Sequence, residues 1–174
     1  MSVHETKPAR LMATLHAASG IEARALEFIA LTAARPSEVL GCVWSEFDIP
    51  GATWMIPAER SKSREPHRVP LSHAALLLLA GVPEGRGSDQ VFGGSTRLTA
   101  SRIARKLSAL SLSGPPHQFR SMFESWMEGQ GKRIADLAAC ALGRPPRDAS
   151  NNDRLEERRP LMEAWAAQLG CDSR

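Results

Sequence analysis

Three features are missing from the sequence: tyrosine, an even number of cysteines and a long apolar run. Its 174 residues include no tyrosine, so no site built from this chain alone can use a phenolic hydroxyl. Cys42, Cys140 and Cys171 are an odd number without metal-ligand spacing, so we expect reduced thiols and no metal site. The apolar run Ala74–Ala80 is too short to cross a membrane. The N-terminus lacks the apolar core of a signal peptide, and the protein is therefore expected to be cytoplasmic.

Acidic residues are missing from one long stretch of the chain. The net charge is only +3, and acidic side chains outnumber basic ones over residues 1–59. The stretch Gln90–Phe123 has no aspartate or glutamate, but it carries five lysines or arginines together with His117. A basic tract inside a folded domain is typical of phosphate contact. The alternative interpretation is a solvated helix face, which is the commoner origin of surface charge.

The length and the 43% hydrophobic content fit one compact domain that is built mainly from helices. Apolar periodicity predicts helices at residues 8–18, 21–33, 36–41, 74–80, 99–110, 117–128, 132–142 and 154–169. Ser72 and Thr99 are expected to cap two of them. Short alternating runs predict strands at Trp44–Asp48, Thr53–Pro57 and Arg68–Leu71. The expected fold is therefore mainly α, with a small three-stranded antiparallel sheet.

Four basic residues stand out by their positions. Arg35 lies between a buried helix and the start of the next helix, and Lys62 lies in the polar connection between two strands. His117 and Arg120 are three residues apart at the start of a helix, so they share one face. Each also has a purely structural interpretation, as a helix cap, a solvated turn lysine or a helix-start residue that bonds the backbone.

Four segments, taken together, resemble the catalytic domain of tyrosine recombinases, the phage integrases. They occur in the order that the family shows and span roughly Ala9 to Ala167: LTAARPSEVLGCVWSEFDI, WMIPAERSKSREPHRVPLS, HQFRSMFESW and RLEERRPLMEAWA. The resemblance implies the DNA breaking-rejoining catalytic core as a single domain over residues 1–174. It also implies that the DNA-binding domains preceding this core in intact integrases are absent here.

The resemblance assigns a role to each of the four basic residues. Arg35 and Arg120 match the arginines that grip the non-bridging oxygens of the cleaved phosphate, which suits two permanently charged guanidinium groups. His117 matches the residue that moves the nucleophile's proton, and Lys62 matches the one that protonates the departing 5′ oxygen. The family's chemistry uses side chains alone, so no cofactor is implied, and the partner is duplex DNA. Further DNA-binding candidates are Arg64, Arg102, Arg105 and Lys106.

Two positions of the family's pattern hold other residues. The family carries a histidine after a Leu-Gly pair late in the domain, and the segment ACALGRPPRD places Arg144 there. The nucleophilic tyrosine falls at about Ala149 when counted back from Arg158 and Arg159, and nearer Arg154 when counted forward. Neither alignment supplies a tyrosine. The resemblance therefore implies a degenerate active site that holds DNA without cleaving it, in a prophage remnant or a regulator.

Two other functions stay open. The C-terminal helix of family members packs against neighbouring subunits, so this chain could be a non-catalytic regulator that binds an intact integrase or a second copy of itself. The residues that would form this surface are Leu161, Met162, Trp165 and Leu169. Alternatively, Ser150 or water could act as the nucleophile of a weak phosphodiesterase, although a serine hydroxyl is far less acidic than a phenol.

Overall fold

A computed structural model describes most of the chain. The described residues are 7–82, 89–93, 97–112, 114–130, 135–143 and 153–171. Within them lie helices α1 Lys7–Ala17, α2 Ile21–Thr32, α3 Pro36–Leu40, α4 His73–Ala80, α5 Ala100–Ala109, α6 Gln118–Glu128, α7 Ala135–Ala141 and α8 Leu155–Gln168. The strands are β1 Phe47–Asp48, β2 Thr53–Ile56 and β3 His67–Pro70. The predicted class, mainly helical with a small antiparallel sheet, is confirmed.

Helix α2 is the centre of the core. It packs against α1, α3, α4, α5, α6 and α8. Its sequence is apolar on nearly every face, which is the pattern of a helix enclosed by other elements. Leu26, Phe28 and Ile29 are accordingly fully buried. Because so many elements meet on α2, the residues at its ends are held in fixed positions.

The C-terminal end of α2 leads directly into α3. Ala33 adopts a left-handed conformation with φ of 52°, which stops the helix. Arg35 then returns to an extended conformation, and Pro36 begins α3. The Glu38 carboxylate accepts a hydrogen bond of 2.8 Å from the backbone N–H of Arg35, as in a capping box. The backbone of Arg35 therefore caps α3, as the structural interpretation of this residue predicted.

The sheet has the order β1-β2-β3, with both pairs antiparallel. Trp54 pairs with Phe47 on one side and with Val69 on the other. The predicted strand Trp44–Asp48 is wrong over its first three residues, because Trp44–Glu46 forms a turn of 3₁₀ helix. Tertiary contacts favour this turn, since the Glu46 carboxylate accepts a hydrogen bond of 3.0 Å from the indole N–H of Trp54.

Two predicted helix caps are present. The Ser72 hydroxyl accepts a hydrogen bond of 3.3 Å from the N–H of Ala75, at the start of α4. The Thr99 hydroxyl accepts one of the same length from the N–H of Arg102, at the start of α5. Each cap satisfies one of the backbone donors that a helix start leaves unpaired. The sequence pattern therefore located the beginnings of both helices.

Helix α8 uses its apolar face inside the chain itself. Trp165 is fully buried, and its indole N–H donates a hydrogen bond of 2.7 Å to the carbonyl of Ala30 in α2. Its ring also meets Phe123 of α6 edge to face, with the ring centroids 5.3 Å apart. The other three residues of the predicted partner-binding surface are buried as well: Leu161, Met162 and Leu169. This face therefore completes the chain's own core.

The cysteines Cys42, Cys140 and Cys171 are free thiols, and the first two are buried. Burial, together with the neighbouring Glu46 carboxylate, raises the pKa of the Cys42 thiol to about 12. Over the described residues, no helix is both long and apolar enough to cross a membrane. The same part of the chain contains no group of three or more histidine, cysteine or acidic side chains that could hold a metal ion.

Candidate DNA-phosphate site

Arg120 contacts the end of α2, next to the segment that carries Arg35. Arg120 of α6 donates a hydrogen bond of 3.1 Å from Nη1 to the carbonyl of Ala33. Ala33 precedes Arg35 by two residues, so the segment with the first arginine and the segment with the second are in direct contact. Arg120 is buried, with 8% of its surface exposed. The fold thus brings the segments of Arg35 and Arg120, which are 85 positions apart in the sequence, into contact.

Arg120 also reaches the end of α7. Its Nη2 donates a hydrogen bond of 2.5 Å to the carbonyl of Leu142, which directly follows this helix. One guanidinium therefore bridges the carbonyl ends of α2 and α7. A cation in this position is favoured because the unpaired carbonyls give a helix C-terminus a partial negative charge. These contacts fix the orientation of Arg120 in the structure.

Arg35 is fixed by an acidic partner. Its Nη1 lies 3.0 Å from Oε1 of Glu38, whose side chain is almost fully buried. The same carboxylate caps the backbone of Arg35. Charge-assisted hydrogen bonds of this kind hold a guanidinium in one orientation. They also balance part of its charge, so the pair presents a weaker positive field than an isolated arginine would.

Lys62 lies at the exposed tip of the turn between β2 and β3, and Arg64 is exposed beside it. The turn is ordered by its own backbone, because the N–H groups of Arg60 and Ser61 both donate to the carbonyl of Pro57 at 3.1 Å. Arg64 has a left-handed conformation, with φ of 59°. The backbone is thus folded tightly below two cations that extend into solvent.

Arg60 ties this turn to α3, and the sequence analysis missed it. Its Nη1 donates a hydrogen bond of 2.7 Å to the carbonyl of Glu38, and its Nη2 pairs with the Glu46 carboxylate. Gly41 leaves room for it, since a Cβ there would lie 2.9 Å from Nη1. Arg60 therefore connects the turn of Lys62 with the helix start of Arg35. Nothing local in the sequence marks a contact across 22 residues.

His117 is the most accessible of the predicted catalytic residues at the helix starts. It is exposed immediately before α6, and its side chain makes no capping hydrogen bond. Its carbonyl accepts from the N–H of Arg120 at 3.1 Å, so it lies one helical turn before that arginine. The imidazole is consequently free to meet a ligand that approaches from solvent.

Two of the three DNA-binding candidates on α5 have partners inside the chain. Arg102 makes two hydrogen bonds to Oε1 of Glu22, at 3.0 and 2.6 Å. A backbone hydrogen bond and this contact with Arg102 lower the pKa of Glu22. Lys106 donates to the carbonyl of Ser19 at 2.6 Å, whereas Arg105 is exposed. Arg102 and Lys106 therefore fasten α5 to the start of α2, which supports the structural interpretation of this basic tract.

A second basic residue that the sequence analysis missed is His67, at the start of β3. Burial together with the nearby Arg158 lowers the pKa of its imidazole to about 4. A Cβ on Gly143 would lie 3.6 Å from the ring, in ordinary van der Waals contact. His67 is therefore neutral at pH 7 and packs against the end of α7, where Arg120 also binds.

The start of α8 is anchored to β3 by a charged cluster. Arg68 makes two hydrogen bonds to Asp153, at 2.8 and 2.6 Å. Arg158 is fully buried, donates to the carbonyl of Arg68 at 2.7 Å and lies 3.3 Å from Asp153. Burial opposes the charge on Asp153, but the two arginines lower its pKa overall.

The two degenerate positions, Arg144 and Ala149, lie outside the described residues, as does Ser150.

A mainly helical domain with a three-stranded antiparallel sheet is consistent with an integrase catalytic domain. A family model described as "Phage integrase family" matches residues 2–140. The chain therefore belongs to the phage integrase family, which confirms the resemblance.

Three relatives are similar to this chain over part of their own length. It is 30% identical over 148 residues to prophage integrase IntA of Escherichia coli K12, covering 78% of this chain and 36% of the relative. It is 31% identical over 157 residues to prophage integrase IntZ of the same strain, covering 82% and 38%. It is 28% identical over 174 residues to the integrase of enterobacteria phage P4, covering 83% and 39%. The chain thus spans about two fifths of these relatives' length. No solved structure gave a significant match.

Proposed function

We propose that this chain is a single integrase-type domain with a role in DNA integration, which binds duplex DNA at the end of α2 and does not cleave it. The observation that supports this is the contact between Arg120 and Ala33, two residues before Arg35. A site that collects Arg35, Arg120 and the tethered Lys62 turn at one place favours an anionic partner. A DNA phosphate is the ligand that suits such a group of cations.

Binding at this site would depend mainly on charge. Lys62 and His117 are exposed and would meet the phosphate backbone first, whereas Arg35 is partly buried. Contacts to phosphate carry no sequence information, so they position a protein on DNA without selecting a sequence. We expect a dissociation constant on the order of 10⁻⁴ to 10⁻⁶ M at physiological salt, with a steep loss of affinity as salt rises.

Cleavage would fail because the chain has no group suited to attack the phosphate. It contains no tyrosine, and a second copy of the chain could not supply one. Arg144 stands where the family has a histidine, and a guanidinium that stays protonated cannot take part in proton transfer. The hydroxyl of Ser150 would need a stronger activating arrangement than a phenol does. The cations that grip phosphate are thus kept without the nucleophile.

The alternative function, a regulator that binds an intact integrase or itself through α8, has less support. The apolar side chains that were expected to form its binding surface are buried against α2 and α6. Exposing them would require α8 to leave the core. Binding to DNA needs no such rearrangement, because Lys62 and His117 are already at the surface.

The proposed function is tested by measuring DNA binding across a salt series. The wild type is compared with Arg35→Gln/Arg120→Gln, in which the amide at position 120 keeps uncharged N–H donors for the carbonyls of Ala33 and Leu142. Lys7→Ala/Arg10→Ala removes the same charge from exposed positions of α1 and is the matched control. We expect the first variant to bind at least about tenfold more weakly and the control to bind nearly as the wild type. Equal binding by all three proteins would contradict a phosphate site at the end of α2.

A further inference from the structure

A buried threonine stands at the corner between α2 and α3. Thr32 is the last residue of α2, and only 2% of its surface is exposed. Its hydroxyl donates a hydrogen bond of 2.7 Å to the carbonyl of Phe28, and it accepts one of 3.4 Å from the backbone N–H of Ala34. The first bond is ordinary for a threonine in a helix. The second lies past the helix end, so it ties the following backbone to α2.

The backbone that Thr32 ties down leads to both arginines of the phosphate site. The carbonyl of Ala33 accepts a hydrogen bond of 3.1 Å from Nη1 of Arg120, and Arg35 directly follows Ala34. Ala33 has φ of 52°, a left-handed conformation that a residue other than glycine keeps only when its surroundings hold it. A rotation at Ala33 would therefore move the acceptor of Arg120 and the start of the Arg35 segment together.

We propose that Thr32 is a positioning residue of the phosphate site, whose hydroxyl holds the Ala33–Ala34 backbone so that the Ala33 carbonyl stays aimed at Arg120. The inference rests on the proposed function, since its effect on DNA is exerted through that arginine. Without the hydroxyl, the buried N–H of Ala34 loses its acceptor, which favours a rearranged corner. A rotated Ala33 carbonyl would release one contact that orients the guanidinium, so ordering it on a phosphate would cost more free energy.

The DNA-binding test compares Thr32→Val, which keeps the side chain's shape and removes the hydroxyl, with Thr32→Ser, which keeps the hydroxyl. Thr53→Val makes the same change at another buried threonine, whose hydroxyl donates to the carbonyl of Gly51 at 2.9 Å, and is the control for lost stability. All are measured where each protein is folded. We expect Thr32→Val to bind about tenfold more weakly, Thr32→Ser to recover most of that loss, and Thr53→Val to bind as the wild type. Equal binding by Thr32→Val and Thr53→Val would overturn the proposal.

A double-mutant cycle separates positioning of Arg120 from an independent effect. If Thr32 acts through the arginine, Thr32→Val should weaken DNA binding much less in the Arg120→Gln background than in the wild type, because the guanidinium is already gone. Fully additive losses would show that Thr32 acts by another route and would overturn the proposal. Should Thr32→Val not fold, the cycle is run with Thr32→Ala, which also lacks the hydroxyl.

A third measurement, made without DNA, distinguishes failure of this inference from failure of the proposed function. Hydrogen exchange of the Ala34 amide is followed by NMR, and we expect it to become faster in Thr32→Val and to stay slow in Thr32→Ser. The free energies of unfolding of the Thr32→Val and Arg120→Gln cycle should be non-additive, because both changes act on the Ala33 carbonyl. If these results held and the wild type bound no DNA, the proposed function alone would fail. Unchanged exchange and additive stabilities would overturn the role of Thr32 whether or not DNA binds.

Discussion

The guanidinium of Arg60 donates a hydrogen bond of 2.7 Å to the main-chain carbonyl of Glu38, the residue whose carboxylate holds Arg35. One side chain thereby links the turn that carries Lys62 with the helix start that carries Arg35. Arg35 and the turn of Lys62, two cations that the family's chemistry uses together, are thereby joined through Arg60 and Glu38.

The first prediction concerns this link. Arg60→Ala should loosen the Lys62 turn, because the turn loses its contacts to Glu38 and Glu46. Amide hydrogen exchange over residues 58–66 should become faster, and DNA binding should weaken about as much as in Lys62→Ala. Glu59→Ala changes an exposed residue of the same turn and should alter neither property. Unchanged exchange in Arg60→Ala would show that the turn is held by its own backbone alone.

The second prediction concerns the pH dependence of stability. The pKa of His67 is about 4 in the folded chain and ~6.5 for a histidine in an unfolded chain. Between these values the unfolded chain binds a proton that the folded chain does not, so stability rises with pH. The contribution is complete above pH ~6.5 and is lost as the pH falls to about 4. It amounts to on the order of 3 kcal/mol at most.

Denaturant unfolding from pH 4.5 to pH 7 measures this effect. The free energy of unfolding of His67→Gln should depend less on pH than that of the wild type. Acidic groups with a lowered pKa, such as Asp153, also lose stabilisation in acid, so the difference between the two proteins is the quantity to compare. Parallel curves would contradict a partly buried His67 that is neutral at pH 7.

The third prediction distinguishes structural from DNA-binding cations on α5. Arg102→Ala breaks the pair with Glu22 and should lower the free energy of unfolding by about 1 kcal/mol, since the pair is partly exposed. Arg105→Ala should leave stability unchanged and weaken DNA binding evenly across sequences, with the salt slope reduced by about 1. The opposite pattern, with Arg102 important for binding and Arg105 for stability, would contradict the assignment.

The fourth prediction concerns α8 as part of the core. Trp165→Phe keeps an aromatic ring against Phe123 but leaves the Ala30 carbonyl without its indole donor. We expect the free energy of unfolding to fall by about 1–3 kcal/mol. If α8 instead served a partner, the isolated chain would unfold at the same denaturant concentration with or without the indole N–H.

The comparison of sequence with structure shows which features were predictable. The Thr99 cap, the buried helix before Arg35 and the small sheet follow from local patterns, because a few adjacent residues determine each of them. The 3₁₀ turn at Trp44–Glu46 was missed because it depends on contacts that Glu46 makes with Trp54 and Arg60. The apolar face of α8 was recognised, but periodicity alone does not say whether a face meets the chain's own core or another protein.

The individual residues of the candidate site could be predicted from the sequence, but the contacts between them could not. Arg35 and Arg120 were found by position and by resemblance to the family. The hydrogen bond from Arg120 to the carbonyl of Ala33 requires the tertiary fold, as does the position of His67 beside Gly143. A histidine within a strand segment carries no sequence signal that distinguishes it from an ordinary core residue. The contacts of Arg102 with Glu22 and of Lys106 with Ser19 were equally invisible, because these partners lie at least 80 residues earlier in the sequence.

The central claim is that the chain holds duplex DNA and does not cut it, and a nicked suicide duplex tests both halves in one experiment. The chain is incubated with the labelled duplex at low salt, and one portion is run on a native gel and another on a denaturing gel. We predict a shifted band on the native gel that the Arg35→Gln/Arg120→Gln variant lacks, and no covalent protein–DNA band on the denaturing gel. A covalent band, or the absence of any shift in the wild type, would contradict the account.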